Sequence, residues 1–366
     1  MSSSGTTGQF ETAGEVRRYV AGRLSDFEPA GAPTRLPGGN LNLVWRVPGA
    51  DRSLIVKYAP PYIAADPDTP LDPGRLRIEA RCLKALSPDG RLVPVTKSGV
   101  HVPRPVDVKE EIPVLIMEDL GDVPSFDQWL RDADPETLDA KAAAYGRRLG
   151  RVLGRLHATT CDDNHSADVF DNRPMQETRL AVQYRNVADM LRTGGVDDAE
   201  TLGTRAESLG KTLLESGRCL TMGDLWPSSV LVTEEGLRLI DWELAHYGRP
   251  LQDVAHWLAH LWMQAHRAPS AAVADAVGEV RTAFLGAYCE ALGESNEALW
   301  DEWEKRDAAV HFGAELLVRA VGPFQAGYVY AGLAPDHPAV QEAVMTAVEH
   351  LRCPHDIGAS LLRPGR

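Results

Sequence analysis

Basic residues are in short supply. The 366-residue chain carries 38 Lys+Arg against 52 Asp+Glu, a formal net charge of −14, which argues against a nucleic-acid partner, because such proteins present a basic patch. Long apolar runs are missing too. No stretch approaches the roughly 18 uninterrupted apolar residues of a membrane span, and residues 1–9 (MSSSGTTGQ) have neither the basic nor the apolar region of a secretory signal. A cytoplasmic protein without nucleic-acid or membrane partners is expected. Cysteine is sparse: Cys82, Cys161, Cys219, Cys289 and Cys353 are odd in number, far apart and free of any C-x-x-C pair, which argues against a disulfide framework and a zinc site. Internal repeats and long low-complexity tracts are also absent.

What is present suits a globular protein, with 44% hydrophobic and 25% charged residues and a length that allows about two domains at roughly 150 residues each. The first third holds short β-like runs, Leu43 to Val47, Leu54 to Tyr58 and Val114 to Met117, interrupted by a helical pattern over Leu76 to Leu86. Beyond Met117-Glu118-Asp119-Leu120-Gly121 the periodicity becomes helical, first around Ala142 to Leu156 and later at Asp253 to His266, Ala272 to Leu292, Trp300 to Val321 and Pro338 to Leu351. The expected division is therefore a 1–119 lobe rich in strands and a 120–366 lobe that is mostly α. Within the second block lies an isolated hairpin signal, Ser229 to Thr233 and Leu237 to Trp242 joined through Glu234-Glu235-Gly236.

Several polar residues fall where burial is expected. Lys57 shares a strand face with Ile55, and Glu79 lies on the apolar helix stripe, three residues after Leu76 and four before Leu83. Burying either charge alone is unfavourable and pairing resolves both, an arrangement by which kinases hold a lysine against nucleotide phosphates. Upstream, the Gly38-Gly39-Asn40-Leu41-Asn42 turn is short enough in side chains for its backbone to approach phosphates. In the hairpin, Asp224 precedes the first strand, and strand alternation puts Asp241 and Glu243 on one face at the end of the second. Two like charges there repel unless a cation or a basic side chain lies between them. Three solvated acids flanking a turn are the alternative, but a divalent metal with phosphate ligands is the economical explanation. Asp224 is then the base that orients a hydroxyl nucleophile. His256 and His260 have i, i+4 spacing, but Trp257 stands where H-E-x-x-H needs its glutamate, so two ordinary histidines of a buried helix are expected. Asp253 is read as capping that helix or pairing with the loop around Asp224.

With these residues the chain resembles the aminoglycoside phosphotransferase and choline kinase superfamily over about residues 35 to 330. The resemblance implies a two-lobed, protein-kinase-like α+β fold, a small N-terminal sheet lobe for nucleotide and a larger helical lobe for catalysis and substrate. Asp224 matches the superfamily's catalytic base, Asp241 its metal ligand, and Leu153-Gly154-Arg155-Leu156-His157 the helix before its catalytic loop. The closest likeness is to methylthioribose kinases, in Gly39-Asn40-Leu41-Asn42, Val56-Lys57 with Pro61-Tyr62-Ile63, Gly223-Asp224-Leu225, and Ile240-Asp241-x-Glu243 with Tyr247-Gly248.

The implied chemistry is ATP- and Mg²⁺-dependent phosphorylation of a small-molecule hydroxyl acceptor, in a monomer or homodimer. Adenine would lie at Met117 and Glu118, and phosphates at the Gly38 to Asn42 loop and Lys57. Mg²⁺ would sit on Asp241, Glu243 and Ser229, the last where relatives carry Asn. Trp226 either walls the acceptor site or packs as an ordinary aromatic. Two departures stand out. Met222 replaces the superfamily's loop-supporting His, which predicts a less rigid loop, and Arg319 is followed by Ala320 where methylthioribose kinases pair two arginines, which points to another small alcohol. The rival readings are a nucleotide-binding pseudokinase that serves as a binding module, and a kinase acting on polycationic antibiotics.

Overall fold

The structure, a computed structural model, describes residues 10–363 except 38–40, 97–98, 110–111, 133–134 and 216. After helix α1 (Ala13–Arg23) come β1 (Thr34–Arg35), β2 (Leu43–Pro48) and β3 (Ser53–Tyr58), then α2 (Arg75–Leu86), β4 (Val100–His101), β5 (Pro105–Lys109) and β6 (Val114–Glu118). The sheet runs β1-β2-β3-β6-β5, with every pairing antiparallel.

Alternation along β3 does what period two requires. Leu54, Val56 and Tyr58 join a core with Val16, Val20, Trp45 and Val47 beneath α1. Ile55 enters the other core, and Lys57 follows it on that face, towards α2. The sheet's last central strand ends at Glu118, just before the expected division at 119, although β4 reaches across it to pair in parallel with a strand of the second block.

That block is dominated by helices. The long α3 (Pro135–Thr159) is followed by α4 (Arg173–Arg179), which runs into a π-helical turn, Leu180–Tyr184. Short strands β7 (Cys219–Thr221), β8 (Val230–Thr233), β9 (Gly236–Leu239) and β10 (His246–Gly248) come next. Then follow α5 (Leu251–His266), α6 (Ala271–Leu292), α7 (Glu302–Ala320) and α8 (Pro338–Arg352). The α3–α6 seam is unusually close, because Gly146, Gly150 and Gly154 recur every fourth residue on one face of α3. A Cβ at each would run into backbone of Val280, Phe284 and Tyr288 respectively.

The hairpin forms as β8 and β9, in register from Val230 opposite Leu239 to Thr233 opposite Gly236, but its second strand is shorter than expected. β9 stops at Leu239, Asp241 adopts left-handed backbone (φ 64°, ψ 57°), and Glu243 lies in a 3₁₀ turn, Trp242–Leu244. Asp241 and Glu243 therefore do not share a strand face.

Candidate active site

The two lobes meet at a buried cluster of charge. Lys57 Nζ lies 2.7 Å from Glu79 Oε2, 2.9 Å from Asp241 Oδ1 and 3.7 Å from Glu243 Oε1. The strand–helix pair expected of Lys57 and Glu79 is thus formed, with both side chains almost completely buried. The left-handed turn at Asp241, a conformation aspartate tolerates better than most residues, brings its carboxylate to Lys57 while leaving it about half exposed. Burial pulls the Lys57 ammonium down, but Asp241, Glu243 and Glu79 outweigh it and hold the group well above the usual lysine value. Burial pushes Glu79 up to about 7, against Lys57 and with the help of Glu243 and Asp241.

Glu243 has a different role from the one its spacing suggested. Both of its oxygens accept from Asn42 Nδ2 at 2.8 Å, and Oε2 also accepts from Arg75 Nε at 3.1 Å. Its carboxylate is spent on protein donors. Arg75, the fully buried first residue of α2, additionally donates to the carbonyls of Leu41, Pro60 and Asp72. Sequence reasoning missed this arginine, yet its position one helical turn before Glu79 places both on one face. Asn42 likewise uses its side-chain amide on Glu243 rather than offering it to phosphate. Gly38, Gly39 and Asn40 lie outside the described residues.

Three carboxylates (Glu79, Asp241, Glu243) thus face two cations (Lys57, Arg75), so above pH 7, where Glu79 is ionised, one negative charge is left over, and the most accessible of the three carboxylates is Asp241. This donor set fits Mg²⁺ at Asp241. It does not fit Ser229: that side chain is fully buried, its Oγ accepts from Trp226 N–H at 3.1 Å and donates to Trp226 O at 2.8 Å. A serine reaches the loop's own backbone where a longer Asn side chain would project beyond it. At the expected hinge Met117 is buried, and Glu118 exchanges two hydrogen bonds with Arg104, its N–H to Arg104 O (2.9 Å) and its Oε2 from Arg104 N–H (3.0 Å).

The loop carrying Asp224 is held from beneath. Asp253 accepts from Met222 N–H (2.8 Å), Gly223 N–H (2.7 Å) and His157 Nε2 (3.1 Å), so it pairs with the loop. His157 Nδ1 in turn accepts from Tyr288 OH at 2.8 Å, and Tyr288 accepts from Trp300 Nε1 at 3.0 Å. Met222 itself is fully buried among apolar neighbours. Asp253 thus holds the loop backbone whatever side chain stands at 222. Gly223 has φ 79°, and a Cβ there would meet the Leu244 carbonyl, so only glycine fits.

Asp224 is about a quarter exposed. Its Oδ1 lies 3.0 Å from Arg179 Nη2 and 3.4 Å from His256 Nε2. Burial alone would raise its pKa, but His256, Arg179 and Arg319 bring it to about 2. The carboxylate is ionised at any working pH. Beside it, Arg319 donates through Nε to Glu315 at 2.8 Å and lies over the rings of Trp226 (4.7 Å), Tyr328 (5.4 Å) and Phe324 (5.5 Å). His256, His260 and Glu315 bring metal-type ligand atoms within 4.8 Å of one another. Those atoms are already engaged: Glu315 accepts from Arg319, from Gln183 Nε2 (2.9 Å) and from His260 Nε2 (3.1 Å), while His260 Nδ1 meets Tyr328 OH at 2.8 Å.

A lysine–glutamate pair, a half-exposed aspartate beside it and a second aspartate on a buttressed loop make up the equipment for phosphoryl transfer, and residues 33–307 match the profile of the phosphotransferase enzyme family. The chain belongs to that family. Two relatives are similar along most of their length. A 4-hydroxytryptamine kinase of Psilocybe cyanescens is 26% identical over 262 residues, covering 68% of this chain and 72% of the relative. A methylthioribose kinase of Exiguobacterium sibiricum is 27% identical over 290 residues, covering 72% and 68%. Among solved structures, the choline kinase LicA from Streptococcus pneumoniae superposes with a TM-score of 0.51 at 14% identity, over 92% of this chain and 97% of that one, a likeness of fold. This phosphotransferase is an ATP-dependent small-molecule kinase with a hydroxyl acceptor, which sets the pseudokinase reading aside. No helix among the described residues is long and apolar enough to cross a membrane.

Proposed function

We propose that Lys57, Asp241 and Asp224 carry the reaction, and that the acceptor lies against Trp226 and Arg319. The Lys57 junction is the observation that supports this most directly: a buried ammonium held by Glu79 against Asp241, with one uncompensated negative charge facing the cleft. Lys57 binds the nucleotide phosphates, and Glu79 keeps it aimed. Asp241 holds Mg²⁺, which when bound neutralises charge on the transferring phosphoryl group. Glu243 positions Arg75 and the Leu41–Asn42 segment behind that ligand, and Ser229 shapes the catalytic loop. Asp224 orients the acceptor hydroxyl and receives its proton as the bond to phosphorus forms.

The acceptor wall combines Trp226, Tyr328 and Phe324 with the Arg319 guanidinium, while the neighbouring Glu315 is already ion-paired. A polycation finds no free carboxylate in that wall, so a neutral or singly charged acceptor with a planar or polyhydroxylated body fits better. The two kinds of curated relative suggest 4-hydroxytryptamine and methylthioribose as the first acceptors to try. The test is ATP consumption across these two compounds, choline and spectinomycin, followed by Asp224→Asn on whichever reacts. The variant should bind Mg²⁺-ATP within a few-fold of wild type and lose on the order of a hundredfold in kcat. Equal turnover would remove Asp224 from its role, and preference for spectinomycin would overturn the account of the acceptor wall.

A further inference from the structure

The two side-chain contacts on Asp224 come from α4 and α5, and both lead to one irregular turn. Arg179 is the last residue of α4, and the π-helical turn Leu180–Tyr184 follows it directly. Bonding of the i→i+5 type widens a helical turn, so residues four and five positions after Arg179 both stay near its face; such turns recur at functional sites.

Three side chains of this stretch enter the buried network. Arg179 Nη2 donates to Asp224 Oδ1. Gln183 donates to Glu315 Oε2. Tyr184 OH lies 2.7 Å from His311 Nδ1, and His311 Nε2 lies 3.4 Å from His256 Nδ1.

The histidine tautomers follow from these contacts. If Tyr184 donates to His311 Nδ1, the His311 proton sits on Nε2 and points at His256 Nδ1. The His256 proton is then on Nε2, which is buried, 3.4 Å from Asp224 Oδ1 and without another partner. His256 Nδ1 also lies 3.5 Å from Glu315 Oε2. Burial also keeps His311 well below the usual histidine value.

We propose that the π turn clamps the catalytic aspartate through two arms, Arg179 directly and Tyr184 through His311 and His256, so that Oδ1 is fixed and Oδ2 alone is presented to the acceptor hydroxyl. Oδ2 has no hydrogen-bond partner among the described residues. Arg179 and His256 are positioning residues in this arrangement. They fix the side chain of Asp224, as Asp253 fixes its backbone, in a chain whose loop histidine is Met222. The second nitrogen of the Arg179 fork, Nη1, is buried without a partner, which is unfavourable for a guanidinium kept only for stability. The clamp rests on Asp224 being the base, and its test separates the two claims.

The experiment compares wild type with Arg179→Gln, Arg179→Lys and Tyr184→Phe in the full chain. The first readout needs no acceptor: a ¹³C-carboxyl NMR titration of Asp224, assigned by its loss in Asp224→Asn. Of the groups that lower Asp224 (His256, Arg179 and Arg319), removing the Arg179 charge should move the midpoint up from about 2 towards the ordinary aspartate value of 3.8, and Arg179→Lys should restore part of the shift. The second readout is kinetic, on the acceptor found above. Arg179→Gln should lose roughly tenfold or more in kcat, the scale of one charge-assisted hydrogen bond, with KM for ATP unchanged. Tyr184→Phe should show a smaller loss of the same kind. An unmoved midpoint in Arg179→Gln, or a loss confined to KM for ATP, would overturn the clamp. Full turnover in Asp224→Asn would instead overturn the base, whatever the titration shows.

Discussion

At the scale of single residues, the carboxylates at 241 and 243 look alike in sequence and differ in what surrounds them. Asp241 is half exposed beside Lys57, whereas Glu243 is buried against Arg75 and Asn42. Removing one partner of a buried pair leaves the other uncompensated, a loss of about 3–5 kcal/mol, while removing a carboxylate at a metal ligand position raises the metal requirement. Asp241→Asn should therefore raise the Mg²⁺ concentration for half-maximal activity by an order of magnitude or so and leave the melting temperature near wild type. Glu243→Gln should do the reverse, lowering the melting temperature with a modest change in Mg²⁺ dependence. Thermal melts and Mg²⁺ titrations of both variants decide it, and a Glu243→Gln protein that melts normally but demands far more Mg²⁺ would restore Glu243 as a direct ligand.

At the scale of elements, the α3–α6 seam connects packing to catalysis. Gly146, Gly150 and Gly154 let two helices approach until His157, one turn further on, reaches Tyr288 and through it steadies Asp253 and the catalytic loop. Alanine is favoured over glycine inside a helix by about 1 kcal/mol, but at Gly150 the new Cβ would strike the Phe284 backbone, and overpacking of this kind loses about 1–3 kcal/mol or more. Gly150→Ala should lower both stability and kcat. Gly278→Ala, on the partner helix where a Cβ meets nothing within 4 Å, should stabilise by up to about 1 kcal/mol. Chemical denaturation of the pair checks the sign, and a stabilised Gly150→Ala would mean that the helices can part. The helices themselves were legible because amphipathic periodicity survives in α2, α3 and α5 to α8, whose observed ends fall within about two residues of the expected ones except in α3, which starts at Pro135, well before the expected Ala142. The end of β9 was not, since only the conformation of Asp241 ends the strand there, and aspartate's tolerance of left-handed backbone leaves no mark in a hydrophobic pattern. In the site, Lys57 and Glu79 could be read because each is a charge misplaced on an apolar face. Arg75, Arg179 and Asp253 find their partners across 30 to 168 residues of chain, and no local spacing records such contacts.

At the scale of the whole molecule, the buried titratable groups oppose one another, and their balance gives the stability a particular shape with pH. Burial holds His260 at about 3 and His311 well below the usual 6.5. Below pH 6.5 the unfolded chain binds protons that these two refuse, so their contribution is present above 6.5 and is lost as pH falls. Burial has the opposite effect on Glu79 and Glu304, which it raises from 4.5 to about 7. Between pH 7 and 4.5 the folded protein holds protons there that the unfolded chain has released, and stability grows as pH falls. Two histidines against two glutamates leave almost no net proton difference between about pH 6.5 and 4.5, with a shallow tilt from the milder depression of His101, His246 and His350. Below 4.5 the glutamates are protonated in both states and their opposition ends. His260 and His311 then act unopposed, joined by Glu315, held well below the usual carboxylate range, and by Asp224 and Asp163, both lowered to about 2. Each group contributes about 1.4 kcal/mol per pH unit at full difference. Urea denaturation at pH 7, 6, 5 and 4 should thus give a nearly flat stability down to about 4.5 and a steep fall beneath it. Glu304→Gln, which removes one opposing proton, should tilt the flat region by about 1.4 kcal/mol per pH unit, with stability falling towards acid. A wild type that weakens steadily from pH 7 downward would show that Glu79 and Glu304 stay ionised in the fold below pH 7, so that the excess negative charge of the Lys57 cluster persists into acid.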